Sequence, residues 1–423
     1  MSLTVKHLNA DSTFLLTFAP DAAPSTTPPT TTTTSSTSSS SSTRIPGSFT
    51  ILLDPWLSGP SQIIHPILQI SAHTVPPCIT SLDELPDEPD VILISQDKPD
   101  HCHEETLRQL SPTTRTTILA TAAAARKIRG WKHFDPARVR TIKKYDELRD
   151  DSVHRVTIPP VLTAGTPGEV TIVNLPAKAD VTGLHNAIGI TYRPPSSVPC
   201  HEAQSNLDLP LTPPASPRHR SSLPPPTDAD VDSQPPHSAT TPTPATASTT
   251  TAPPSPPSAS SPLPSSRSTL TTLSLLYSPH GVPASVLSPY ISSHLRPLDA
   301  LPLALLLHPL NRVTNPWYLG GVVSAGSLGG VDICRSVGVR RWISAHDEDK
   351  GDQGLLVGLL RFRHFGVEEV RGMLEQWEGK EEARVGEEKV EGGNGWEEGK
   401  KGRGTIRTEV GTLDVGEEIR LTP

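Results

Sequence analysis

The 75 residues from Pro194 to Ser268 hold 20 prolines, and no Phe, Trp or Tyr occurs between Tyr192 and Tyr277. A second tract, Ala23 to Ser48, is almost pure Ser, Thr and Pro, with Ile45 its one large apolar side chain. Neither composition can bury enough apolar area to offset the entropy of ordering the chain, so both tracts are expected to be disordered insertions. What flanks them constrains the fold. Thr13 to Phe18 and Phe49 to Asp54 read as strands around the first tract, and Ala187 to Tyr192 and Thr269 to Tyr277 do so around the second. Closing a loop costs free energy only as the logarithm of its length, so each tract reads as an expanded connection inside one domain spanning 1–423. A third segment, 379–404, is rich in Gly, Glu and Lys and is expected to be flexible and charged.

These tracts explain an otherwise odd composition: 47 prolines, 4% aromatics and 34% hydrophobic residues are a normal core diluted by segments that do not fold. Setting the two Pro-rich tracts aside leaves roughly 320 residues, enough for a large layered α/β architecture. In that remainder, strands are expected at 91–95, 116–120, 139–142, 153–158, 170–173, 341–344 and 417–421, with an apolar run at 301–307. Helices are expected at 104–110, 122–129, 330–337 and 367–376. Many strands with interspersed short helices indicate two packed sheets flanked by helices. The glycine-rich run Gly320 to Gly330 lacks the Gly-Lys-Ser/Thr ending of a phosphate cradle and reads as a flexible loop that opens a helix and covers a site.

A formal net charge of −8 gives no electrostatic support for nucleic-acid binding. No apolar run reaches the ~18 residues of a membrane-spanning helix, and Met1 to His7 lacks the build of a signal peptide. Cys78, Cys102, Cys200 and Cys334 form no CxxC pair. That argues against a disulfide framework and for a reducing, cytoplasmic setting.

Chemistry-bearing residues gather at strand ends. Asp54-Pro-Trp closes one strand. Gln96-Asp-Lys-Pro-Asp-His-Cys-His103 follows Val91-Ile-Leu-Ile directly. His185 precedes a strand, while His280 and His346 follow others. Five such clusters suggest one mouth where loops converge.

This order resembles the metallo-β-lactamase superfamily, in particular its UlaG-like hydrolase branch and related fungal and plant proteins. The resemblance implies an αββα sandwich of two mixed sheets flanked by helices, with one or two zinc ions at the sheet edge. Ile51-Leu-Leu-Asp54 is similar to the family's strand whose terminal Asp braces the metal loop. Leu93 to Leu107 lines up with the His-x-His-x-Asp-His signature and its following helix, but Gln96 and Lys98 stand where the two leading histidines belong. Asp100 and His101 match. His185 takes the downstream His, His280 the bridging Asp position and His346 the final His. What survives implies one Zn²⁺, or Fe²⁺ or Mn²⁺, on Asp100, His101, His280 and His346.

Competing readings attach to several residues. The Lys98 ammonium either enters the vacated first site, pairing with Asp100 or holding a substrate anion, or is solvated. His185 either stabilises a developing anion or is a hydrogen-bonded structural histidine, and His103 is expected to cap a helix or face solvent. His346 could instead belong to a charged surface turn with Asp347, Glu348 and Asp349. Cys102, between two histidines, is either a nucleophile or, as expected, a small side chain packed beneath the loop. Two functions follow: a hydrolase of a small ester, lactone or phosphoester, using Asp100, His185 and Lys98 around the metal, or a metal-free scaffold binding a small anion or a partner. The Pro-rich tracts could also recruit protein modules.

Overall fold

In strands such as Val91–Ile94 every residue is buried, and their alternation divides the burial between two layers. Val91 and Leu93 join one apolar cluster while Ile92 and Ile94 join another. Leu275 and Tyr277 likewise face away from Leu276. A strand buried on both faces must lie inside a sheet covered on both sides. The computed structural model describes residues 1–20, 44–63, 65, 67–178, 180–196, 272–377 and 407–423. Most of the tracts at 23–48 and 194–268, and all of 379–404, lie outside these residues.

Two seven-stranded mixed sheets result. The first runs Glu418–Leu421, Ser2–His7, Phe14–Ala19, Phe49–Leu53, Val91–Ile94, Thr117–Ala120, Val139–Thr141. Its first three pairings are antiparallel and its last three parallel. The second runs Glu409–Gly411, Val339–Ile343, Leu303–Leu307, Leu273–Tyr277, Asn186–Arg193, Gly168–Pro176, His154–Ile158. Here the first three pairings are parallel and the last three antiparallel. One core lies between the sheets. A second covers the outer face of the second sheet with the helix Gly326–Val337 and the helix at 367–377. A third covers the first sheet with Glu104–Leu107 and Ala122–Gly130. The layers are those of an αββα sandwich.

The strands that flank each Pro-rich tract are antiparallel neighbours, with Phe14 opposite Leu53 and Ile188 opposite Tyr277. The described residues all fall in one compact unit. The glycine-rich run differs from expectation. Val322–Ser324 is a strand of a small sheet with Arg312–Thr314 and Arg361–Arg363, and the following helix starts at Gly326 rather than near Gly330. The glycines here allow close packing: a Cβ on Gly330 would overlap the Trp342 ring. Among the described residues, no helix is long and apolar enough to cross a membrane.

Candidate metal centre

Parallel strands all point their carboxyl ends the same way, and open α/β sheets bind ligands there. Asp54 follows Leu53, Ser95 follows Ile94, His280 lies three residues past Tyr277, and His346 three past Ile343. The four ends converge. Asp54 and His346 both adopt positive φ, 36° and 69°. Residues without glycine's freedom hold such backbone only where the surroundings fix it.

His101 is fully buried, and its Nδ1–H donates to Asp54 Oδ2 at 2.8 Å. Asp54 also accepts from the Ser95 amide (2.7 Å), the Ser95 hydroxyl and the Tyr277 hydroxyl (2.6 Å). Burial, and then the Asp54 charge, push the Tyr277 phenol well up, so it stays a donor. His280 Nδ1–H donates to the Val323 carbonyl at 3.0 Å, and Gly281 (φ 84°) turns the chain directly after it. His346 Nδ1 lies 2.9 Å from Asp11 Oδ1. With its Nδ1 engaged, each ring presents Nε2 inward. His101 Nε2 and His280 Nε2 are 3.1 Å apart, and Asp100 Oδ2 is 3.9 Å from both His101 Nε2 and His346 Nε2. One nitrogen from each of His101, His280 and His346 lies within 4.8 Å of the others.

The electrostatics suit a cation. Burial pushes His280 and His346 down, keeping both rings neutral with lone pairs to give. Burial also lowers His101, but the Asp100 and Asp54 carboxylates outweigh it and raise it, the response of an imidazole in a strongly negative site. Asp100 is held well below the usual carboxylate range; burial opposes this, while His101, Lys350 and His346 outweigh burial. Three imidazoles and a carboxylate fit Zn²⁺, Fe²⁺ or Mn²⁺. Anchoring the far nitrogen of each ring is how metal-binding histidines are oriented.

Lys98 and His185 sit apart from this group. Lys98 Nζ is 3.3 Å from Asp97 Oδ1, and its side chain, 30% exposed, lies on the cavity wall. The two ring nitrogens of His185 face the carbonyls of Gly281 (3.1 Å) and Val322 (2.9 Å), so the ring ties the turn after His280 to the small sheet. Gln96 spends its amide on the Leu184 carbonyl at 2.8 Å. His103 caps its helix, accepting from the Thr106 amide. Cys102 is buried, and burial pushes its thiol up to about 12, so it packs rather than reacts.

Two members of the cluster were not legible as such. Asp11, in the turn Asn9–Thr13, is buried without exposure and contacts His346 and Lys350. Lys350 Nζ lies 3.0 Å from Asp11 Oδ2 and 3.4 Å from Asp100 Oδ2. The run Asp347 to Lys350 reads as a solvated turn, yet it is pinned: Glu348 pairs with His73 at 2.5 Å and accepts from the Thr74 amide at 2.7 Å.

A cavity of about 390 Å³ opens over the centre. Asp100, His280, His346, Lys98 and Lys350 line its polar side; Val313, Leu319, Val323, Leu356, Leu360 and Phe362 line its apolar side. A larger cleft, about 850 Å³, touches none of the expected site residues.

Fold and site together define an αββα protein with a candidate metal centre. Residues 50–187 match the family described as a beta-lactamase superfamily domain, a span that contains Asp54, Asp100 and His101. That match supports the superfamily. Among solved structures the chain is similar to Igni18, a metallo hydrolase from the hyperthermophilic archaeon Ignicoccus hospitalis KIN4/I. The identity is 8% and the TM-score 0.40, over 99% of this chain and 98% of that one. Comparison with curated proteins gives no match.

Proposed function

We propose that this chain is a metal-dependent hydrolase of the UlaG-like branch of the metallo-β-lactamase superfamily, acting on an ester, lactone or phosphoester. Asp100, His101, His280 and His346 would hold one divalent ion, zinc before iron or manganese. A cation there supplies Lewis acidity. The observation that carries this reading is the convergence of one nitrogen from each of His101, His280 and His346, with Asp100 Oδ2 3.9 Å from two of the rings and each ring fixed from behind by Asp54, Val323 or Asp11. The chain's own residues do the rest. Lys98, partly exposed on the cavity wall, meets an anionic group of the substrate. His185 positions the His280 turn through its two carbonyl contacts. The apolar wall from Val313 to Phe362 excludes water and receives the uncharged part of the substrate. The free thiols of Cys78, Cys102 and Cys334 suit the cytoplasm.

A second reading, a metal-free scaffold, is favoured by Gln96, whose amide is committed to Leu184 where a ligand imidazole would stand. Chromogenic carboxylic and phosphate diesters separate the two. The full chain, purified without a chelating tag, should hydrolyse at least one class, lose the activity to a chelator and regain it with Zn²⁺. His101→Ala should lower the rate at least ~100-fold. Equal rates with and without chelator would remove the metal from the reaction, and no hydrolysis by folded protein supplied with Zn²⁺ would leave the scaffold reading standing.

A further inference from the structure

Two groups of candidate ligands meet at His346. The first is His101, His280 and His346; the second is Asp11, Asp100 and His346, whose donor atoms also lie within 4.8 Å of one another. They differ in what stands among them. Lys350 Nζ is 3.0 Å from Asp11 Oδ2, 3.4 Å from Asp100 Oδ2 and 3.5 Å from His346 Nδ1, touching every member of the second group. Its side chain is only 12% exposed, and the ammonium lies 5.4 Å from the centroid of the buried Trp56 ring. Its backbone is held as well. The Gly351 amide donates to the Ala72 carbonyl at 2.9 Å, and Thr74 Oγ1 donates to the Asp349 carbonyl at 2.7 Å. This lysine is built in.

Charge counting points the same way. Asp11, Asp54 and Asp100 bring three carboxylates to the buried cluster, and Lys350 brings one ammonium, which leaves a deficit of two positive charges. One dication on the three imidazoles closes that deficit, whereas a second would leave the cluster with surplus positive charge. Asp11 Oδ1 is moreover buried and faces His346 Nδ1 at 2.9 Å. A carboxylate oxygen carries two lone pairs, so one contact leaves another of the kind metals use.

We propose that Lys350 is a resident cation filling a second metal position made by the Asp11 and Asp100 carboxylates beside His346, so that the centre accepts one divalent ion and removal of the ammonium admits another. This rests on the reading that Asp100, His101, His280 and His346 bind a metal. Zinc is the probe. The full chain and its variants are stripped with chelator, loaded with excess Zn²⁺, desalted and subjected to elemental analysis. Wild type should retain one equivalent, Lys350→Ala two, and Lys350→Arg one. Lys350→Met, which keeps the alkyl packing on Trp56, should also retain two. Its melting temperature should rise on adding Zn²⁺ by more than that of wild type. One equivalent in both Lys350→Ala and Lys350→Met, with a melting rise no larger than wild type's, overturns the inference and leaves the metal reading intact. Two equivalents in wild type do the same. No zinc in wild type overturns both.

Discussion

His101 donates Nδ1–H to Asp54 across 2.8 Å with both side chains sealed from solvent, joining the ends of two adjacent parallel strands. The contact fixes the tautomer that leaves Nε2 facing Asp100. Asp54 meets four donors, three of them from Ser95 and Tyr277. Asp54→Asn should therefore keep the fold, lose about 1–3 kcal/mol of stability and weaken zinc affinity about 10–100-fold. Chelator competition on the purified variant checks this; unchanged affinity would deny Asp54 its bracing role.

Thiol reactivity follows burial. Burial pushes both Cys102 and Cys334 up to about 12, while Cys78 is exposed. In native protein at neutral pH, iodoacetamide should label Cys78 and spare Cys102 and Cys334, as peptide mass mapping would record. Cys102→Ala should retain zinc. Rapid labelling of Cys102 would reopen a nucleophilic role for it.

Acid should destabilise the protein through two buried histidines. Burial, chiefly, pushes His294 down to about 4 and His308 down to about 3. In the unfolded chain both lie near ~6.5, so as pH falls the unfolded state takes up their protons first. The stability they contribute is whole above pH ~6.5 and is lost between there and the folded values, at up to ~1.4 kcal/mol per pH unit for each ring. Denaturant titrations across that range should show the slope, and His294→Gln should reduce it. An unchanged slope in that variant would exclude His294 as a source.

The helix Gly326–Val337 can approach the second sheet only because Gly330 leaves room for Trp342. Gly330→Ala, favourable by helix propensity alone, should instead cost about 1–3 kcal/mol as the ring is displaced. A gain in melting temperature would contradict that packing.

The sandwich was legible because its strands are apolar on both faces, and because the segments flanking each Pro-rich tract read as partners. Asp54, Asp100, His101, His280 and His346 were legible as a group because each follows a strand, and parallel strands bring such positions to one edge. Lys350 and Asp11 were not. Lys350 reaches Asp100 across 250 residues of sequence, and Asp347 to Lys350 has the composition of any solvated turn. The ammonium expected near the metal loop was sought at Lys98, whose own nearest acid is the adjacent Asp97. For His185 the sequence left two roles open, and no local pattern records the carbonyls of Gly281 and Val322 that occupy its ring. The small sheet that walls the cavity was hidden as well, since its three-residue strands are too short to show a period.

X-ray absorption at the zinc edge of the loaded protein tests the centre most directly. Three imidazole nitrogens near ~2.0–2.1 Å and one carboxylate oxygen are predicted, with one imidazole lost in each of His101→Ala, His280→Ala and His346→Ala. A sulfur neighbour, or a spectrum those substitutions leave unchanged, would contradict it.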